Sequence, residues 1–182
     1  LEAIHRKKGI KKVYVDSLCT QSQLGMTDSK NRLHYKPVDM LRHQGAELMA
    51  TEDAFLFRAH GVLNEFLAQN PEHNDEVSID NKYPAALAYR VLSRYFNSDQ
   101  VTLRRIEGIL RGKRVLDMLA LRDSYIARNI DCTLNDGESG ALLIGSFHKV
   151  DEELRKKEIA TRITYVKVFP RNLGLVIDGE PY

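Results

Sequence analysis

Ala141 to Ile144 is a continuously apolar run with glycine on both sides, Gly140 and Gly145, and it constrains the fold more than any other segment. A strand apolar on both faces has to be covered on both, as parallel strands of α/β proteins are. The chain must therefore supply strands to pair with it and helices to cover it. Strand candidates are present. Lys11 to Leu18 rises into the β-prone run Val13, Tyr14 and Val15 after the turn residue Gly9. Thr161 to Phe169 is rich in β-branched and aromatic residues, and Leu173 to Ile177 offers a last strand or lies against the surface.

Between the first two of these strands the period is helical. From Leu48 onward, Phe55, Leu56, Ala59, Val62, Leu63, Phe66 and Leu67 recur at spacings of three and four, which stacks them on one face. Pro37 is placed to open a helix, and Asn70 and Pro71 end one. Pro84 restarts helix with Leu87, Val91, Leu92, Tyr95 and Phe96. A further pattern runs from Val101 to Leu134, interrupted around Gly108 and Gly112, and stops at Asn135, Asp136 and Gly137. Asp151, Glu152 and Glu153 suit the first turn of a short helix, where negative charge meets the helix dipole. Residues 20–36 are polar, lack either period and read as a loop. Leu1 to Lys8 reads as the end of a helix, so further chain is expected before Leu1. The expected fold is α/β, a small mainly parallel sheet with a long helical insertion between the first and second strands, forming one domain over residues 1–182.

Composition narrows the function classes. With 182 residues, 43% hydrophobic and 29% charged, the chain has the make-up of a globular domain rather than a disordered one. Its apolar runs fall well short of the roughly 20 residues a spanning helix needs, so no membrane partner is expected. Two cysteines far apart, Cys19 and Cys132, make neither a disulfide framework nor a zinc motif, which fits a reducing cytoplasm. Neither has an adjacent base that would make it a nucleophile. A net charge of +2 is too small to argue for a nucleic-acid partner, which is not expected from global electrostatics. The Arg104, Arg105, Arg111, Lys113 and Arg114 cluster, with Arg90 and Arg94 upstream, reads either as a patch that binds phosphate or nucleic acid or as a solvated helix face. The chain has no Gly-rich nucleotide loop, no HExxH and no GxSxG.

The candidate chemistry lies where the strands end. In open α/β sheets, ligands bind beyond the carboxyl ends of the strands, and His148 follows the Ala141 to Ile144 strand just as Asp16 follows the first. If those strands are parallel neighbours, the two side chains face one crevice, as a base or as metal ligands. The alternatives are a loop histidine bonded to backbone and an aspartate serving a turn. Glu52 falls on the apolar face of the long helical pattern, where a carboxylate must be paired or bound to a cation; otherwise it is a first-turn acid beside Thr51. Arg122 is the cation that could pair with it or hold an anionic group.

The segment Arg122 to His148 resembles the carboxy-terminal signature of the TraB/Tiki group, related to the erythromycin-esterase and ChaN-like proteins. In that signature an Arg followed by Asn or Asp opens a helix, and a glycine turn leads to an apolar strand ending in a glycine and a histidine. Arg122 and Asp123 match the helix opening, Gly137 the turn, and Gly145 with His148 the strand end. The family's early strand would precede Leu1, and Asp16 stands where the family more often has Glu. The resemblance implies metal-dependent hydrolysis. The expected site is accordingly catalytic His148, Arg122 and Glu52, substrate-binding Arg122 and Ser146, and a divalent metal ion held by Asp16, Glu52 and His148. The competing expectation is a non-catalytic module that binds a protein partner or a second copy of itself through its helical middle.

Overall fold

The computed structural model describes residues 9–16, 18–19, 32–77, 82–97, 99–145, 147–156, 168–171 and 174–177. Its organising element is β1 (Ile10–Val15), the centre of a three-stranded sheet flanked by β2 (Glu47–Met49) and β5 (Ser139–Leu143), both parallel to it. Alternation along β1 divides its side chains between two layers. Val13 and Val15 pack with Leu41 and Val38 of α1 (Arg32–His43), and Ala141 and Leu143 of β5 point to the same side. Tyr14 packs on the other side with Ile126, Ala127 and Ile130 of α5 (Met118–Thr133) and with Val150 and Leu154 of α6 (Val150–Leu154). The sheet is thus covered on both faces, as its apolar strand requires.

The long helical excursion does not lie where the sequence places it. Among the described residues α1 is the only helix between β1 and β2, and its return is tight. Gly45 takes φ +91°, a backbone conformation that suits glycine, and lets Ala46 N–H reach the Leu41 carbonyl at 3.0 Å. The long insertion comes between β2 and β5. It comprises α2 (Ala54–Gln69), a 3-10 turn (Pro71–Glu76), β3 (Lys82–Pro84), α3 (Ala85–Tyr95), α4 (Gln100–Leu110), β4 (Val115–Asp117) and α5. The reason is the brevity of β2. Three residues with only Leu48 buried show no alternation, and Leu48 then reads as the start of the following helix. That helix in fact begins at Ala54, where the Asp53 side chain caps it by accepting the Leu56 N–H at 2.9 Å.

Two further departures have similar causes. β3 and β4 pair antiparallel, Tyr83 opposite Leu116, and β4 falls just after the interruption at Gly112 in the helical pattern between Val101 and Leu134. α1 begins at Arg32, so Pro37 lies within it rather than at its start and residues 32–36 are helical. Residues 1–8, 20–31 and 161–167 lie outside the described residues, and so do the expectations that fall on them. Val168–Arg171 and Gly174–Ile177 form an antiparallel pair, β6 and β7.

α2, α3 and α4 enclose a second core with the β3–β4 ladder, built on Leu63, Tyr83, Leu92, Ile106, Leu116 and Met118. Met118 belongs to α5, which therefore spans both cores. Its far end is tied to β1, since Lys12 Nζ donates to the Thr133 carbonyl and Tyr14 Oη lies 3.0 Å from Thr133 Oγ1. Among the described residues no helix is long and apolar enough to cross a membrane.

Candidate active site

All three parallel strands end beside one another, and each delivers a polar side chain there. β1 is followed by Asp16, β2 by Thr51 and Glu52, and β5 by Gly145 and His148. The β2 turn is held by its own backbone groups. The Leu18 carbonyl accepts the N–H groups of Thr51 at 2.7 Å and Glu52 at 2.9 Å, while Asn129 of α5 donates to the Ala50 carbonyl at 2.5 Å. Thr51 Oγ1 accepts the Val15 N–H at 3.0 Å and donates to the Met49 carbonyl at 3.0 Å. Glu52 is therefore placed by the sheet edge and lies before α2, not on it.

From α5 the consecutive residues Arg122 and Asp123 reach this end of the sheet. Arg122 Nε donates to Glu52 Oε2 at 2.7 Å and its Nη2 to Oε1, a two-pronged contact between side chains that are 9% and 1% exposed. Its remaining terminal nitrogen, Nη1, donates to His60 Nδ1 at 2.9 Å, and its Cζ lies 5.4 Å from the centre of the Phe57 ring. Burial works against the guanidinium charge, but the hydrogen bonds and charge of Glu52, with Asp16 and Asp123 behind them, outweigh it and hold the Arg122 pKa above its ordinary value. Asp123 accepts from His148 Nδ1 at 2.5 Å through Oδ1 and from the Lys149 N–H at 2.7 Å through Oδ2. Those two side chains are 4% and 6% exposed.

Asp16 and His148 stand on either side of Gly145. Asp16 Oδ2 accepts the Gly145 N–H at 3.1 Å. A Cβ at Gly145 would stand 3.5 Å from Asp16 Oδ2 and 3.9 Å from His148 Cδ2, so the missing side chain is what leaves space between carboxylate and imidazole. Gly145 is exposed, and this edge of the buried cluster borders solvent.

Asp16, Glu52, Arg122 and His148 lie at the same end of the sheet, Glu52 against Arg122 and Asp16 with His148 beside Gly145, but not as a metal shell. Glu52 has both oxygens engaged by Arg122, and among the described residues no group of three or more His, Cys, Asp or Glu side chains could hold a metal ion. The expected ligand set of Asp16, Glu52 and His148 is corrected accordingly, and the residues present do not fit the metal that the resemblance implies. Arg122 also does not open its helix. It lies in the second turn of α5, whose cap is Asp117, accepting the Ala120 N–H at 2.9 Å. Ser146 lies outside the described residues.

Two members of the cluster were not among the expected site residues, Asp123 entering only as a match for the helix opening and His60 not at all. Asp123 lies four residues before Ala127 and seven before Ile130, and His60 four after Leu56 and three before Leu63. Both spacings put a polar side chain on a buried helical face, which was the available signal. In the arginine-rich cluster, Arg105 is already engaged, donating to Asp53 at 2.7 Å and lying over the Phe55 ring.

Cys19 reports on the charge of this crevice. Burial pushes its thiol pKa up to about 11, with the negative charges of Glu52 and Asp53 adding to the effect and Arg122 opposing it. Only the thiolate is nucleophilic, so alkylation of Cys19 by iodoacetamide is expected to be slow at neutral pH and to accelerate as the pH rises toward 11. Mass-spectrometric labelling rates across that range check this, and rapid labelling at neutral pH would contradict it.

Against these observations, no family model, no curated protein and no solved structure matches the chain.

Proposed function

We propose that the chain carries a hydrolase-type site in which His148 acts as general base toward a water attacking an ester or amide carbonyl. The observation that supports this most directly is the buried contact of His148 Nδ1 with the Asp123 carboxylate. A carboxylate behind the imidazole orients it and stabilises the imidazolium formed when it takes a proton. Arg122, whose charge is matched by Glu52, serves in this reading to orient the acid and His60 rather than to bind an anionic substrate group. The reading uses no metal ion, because the donors among the described residues do not form a shell for one.

The test is a screen of ester and amide substrates with the purified chain, followed by His148→Ala. Turnover is expected to fall by about 10²- to 10⁴-fold, the usual contribution of a positioned base, with the circular dichroism spectrum unchanged. Equal turnover in the folded variant, or none across the panel with wild type, would overturn the reading.

A further inference from the structure

Asp123 stands between two donors with different freedom. His148 Nδ1 is 2.5 Å from Oδ1, and the Lys149 N–H is 2.7 Å from Oδ2. The residue is 2% exposed, so its two oxygens find their partners within the protein. An imidazole can carry its proton on either nitrogen, but a backbone amide can only donate. We infer that Asp123 is the positioning residue that fixes neutral His148 as its Nδ1–H tautomer, leaving the Nε2 lone pair available, and that asparagine cannot substitute for it.

In Asp123→Asn there is one amide oxygen for two acceptor positions. Turning the NH2 group toward Lys149 would set donor against donor, so the oxygen stays with the backbone N–H. The NH2 group then faces His148 Nδ1 and donates to it. The imidazole remains neutral with the same number of protons, but the proton must reside on Nε2 and the lone pair on Nδ1. His148 Cδ2, bonded to Nε2, is the ring atom nearest to the space above Gly145. The inversion therefore exchanges an acceptor for a donor at the edge of the ring that borders the crevice.

This inference uses the same contact as the proposed function but does not depend on hydrolysis. Long-range proton–nitrogen correlation spectra of the chain labelled with 15N-histidine read the tautomer directly, with His148→Gln supplying the assignment. In wild type, under conditions where the imidazole is neutral, His148 is expected to show a protonated Nδ1 and a bare Nε2; in Asp123→Asn the two signals exchange character. A wild-type Nε2–H tautomer would overturn the inference, as would a folded Asp123→Asn with the wild-type pattern. If that variant fails to fold, the wild-type spectrum alone decides. A chain with the expected tautomer that hydrolyses nothing keeps this assignment and loses the hydrolase reading, so the two failures are distinguishable.

Discussion

Replacing Arg122 with methionine is expected to lower the unfolding free energy by about 3 to 5 kcal/mol, the usual consequence of leaving one member of a buried ion pair without its partner. The size follows from where Glu52 sits. Its side chain is 1% exposed, and both oxygens are hydrogen-bonded to the guanidinium. Removing that group leaves a carboxylate that water cannot reach, and it also deprives His60 Nδ1 of a donor and Phe57 of the cation stacked on it. The double variant Glu52→Leu/Arg122→Met is expected to recover most of the loss, since replacing both members of a buried pair by apolar groups is often close to neutral. Urea unfolding of the two single variants and the double variant measures the coupling. A loss below about 1 kcal/mol in Arg122→Met, the range of a surface pair, would show that Glu52 is solvated and that the crevice is open where the structure closes it.

Ile126→Ala is expected to cost about 2 to 5 kcal/mol, through lost burial and the cavity left behind. Ile126 is 0% exposed and joins three layers, packing with Tyr14 of β1 below α5 and with Val150 and Leu154 of α6 beside it. α6 begins directly after His148 and Lys149, so a void there loosens the support of the Asp123 contacts as well as the core. Val101→Ala is the control. That residue is 78% exposed, and its truncation is expected to fall within about 0.5 kcal/mol. Denaturant midpoints at constant m-value compare the two. A similar, small loss in both would mean that α5 is not anchored on β1 through Ile126.

How much of this was legible in the sequence depended on range. The strand through Ala141 to Leu143 and the strand through Val13 to Val15 were readable because an apolar run bounded by turns is a local property. So were α3, which carries Leu87, Val91 and Leu92, and the short acidic α6. The three-residue strands were not: β2, β3 and β4 exist because a neighbouring strand completes their hydrogen bonds, and three residues are too few to display a period. Missing β2 carried the helical insertion into the wrong connection.

The site divides along the same line. That Asp16 and His148 stand at strand ends, and that Glu52 is an acid in an apolar context, could be read from spacing alone. Their partners could not. Glu52 meets Arg122 across 70 residues of chain and His148 meets Asp123 across 25. By itself the sequence determined the α/β class, the main apolar faces and the candidate polar residues, because these follow from periodicity and residue chemistry within a few positions. Only the tertiary structure decided that Glu52 is neutralised by Arg122 instead of serving a metal, and that His148 rests on Asp123. Which donor reaches which acceptor is set by the packing of α5 across the ends of β1, β2 and β5, and no local pattern encodes that packing.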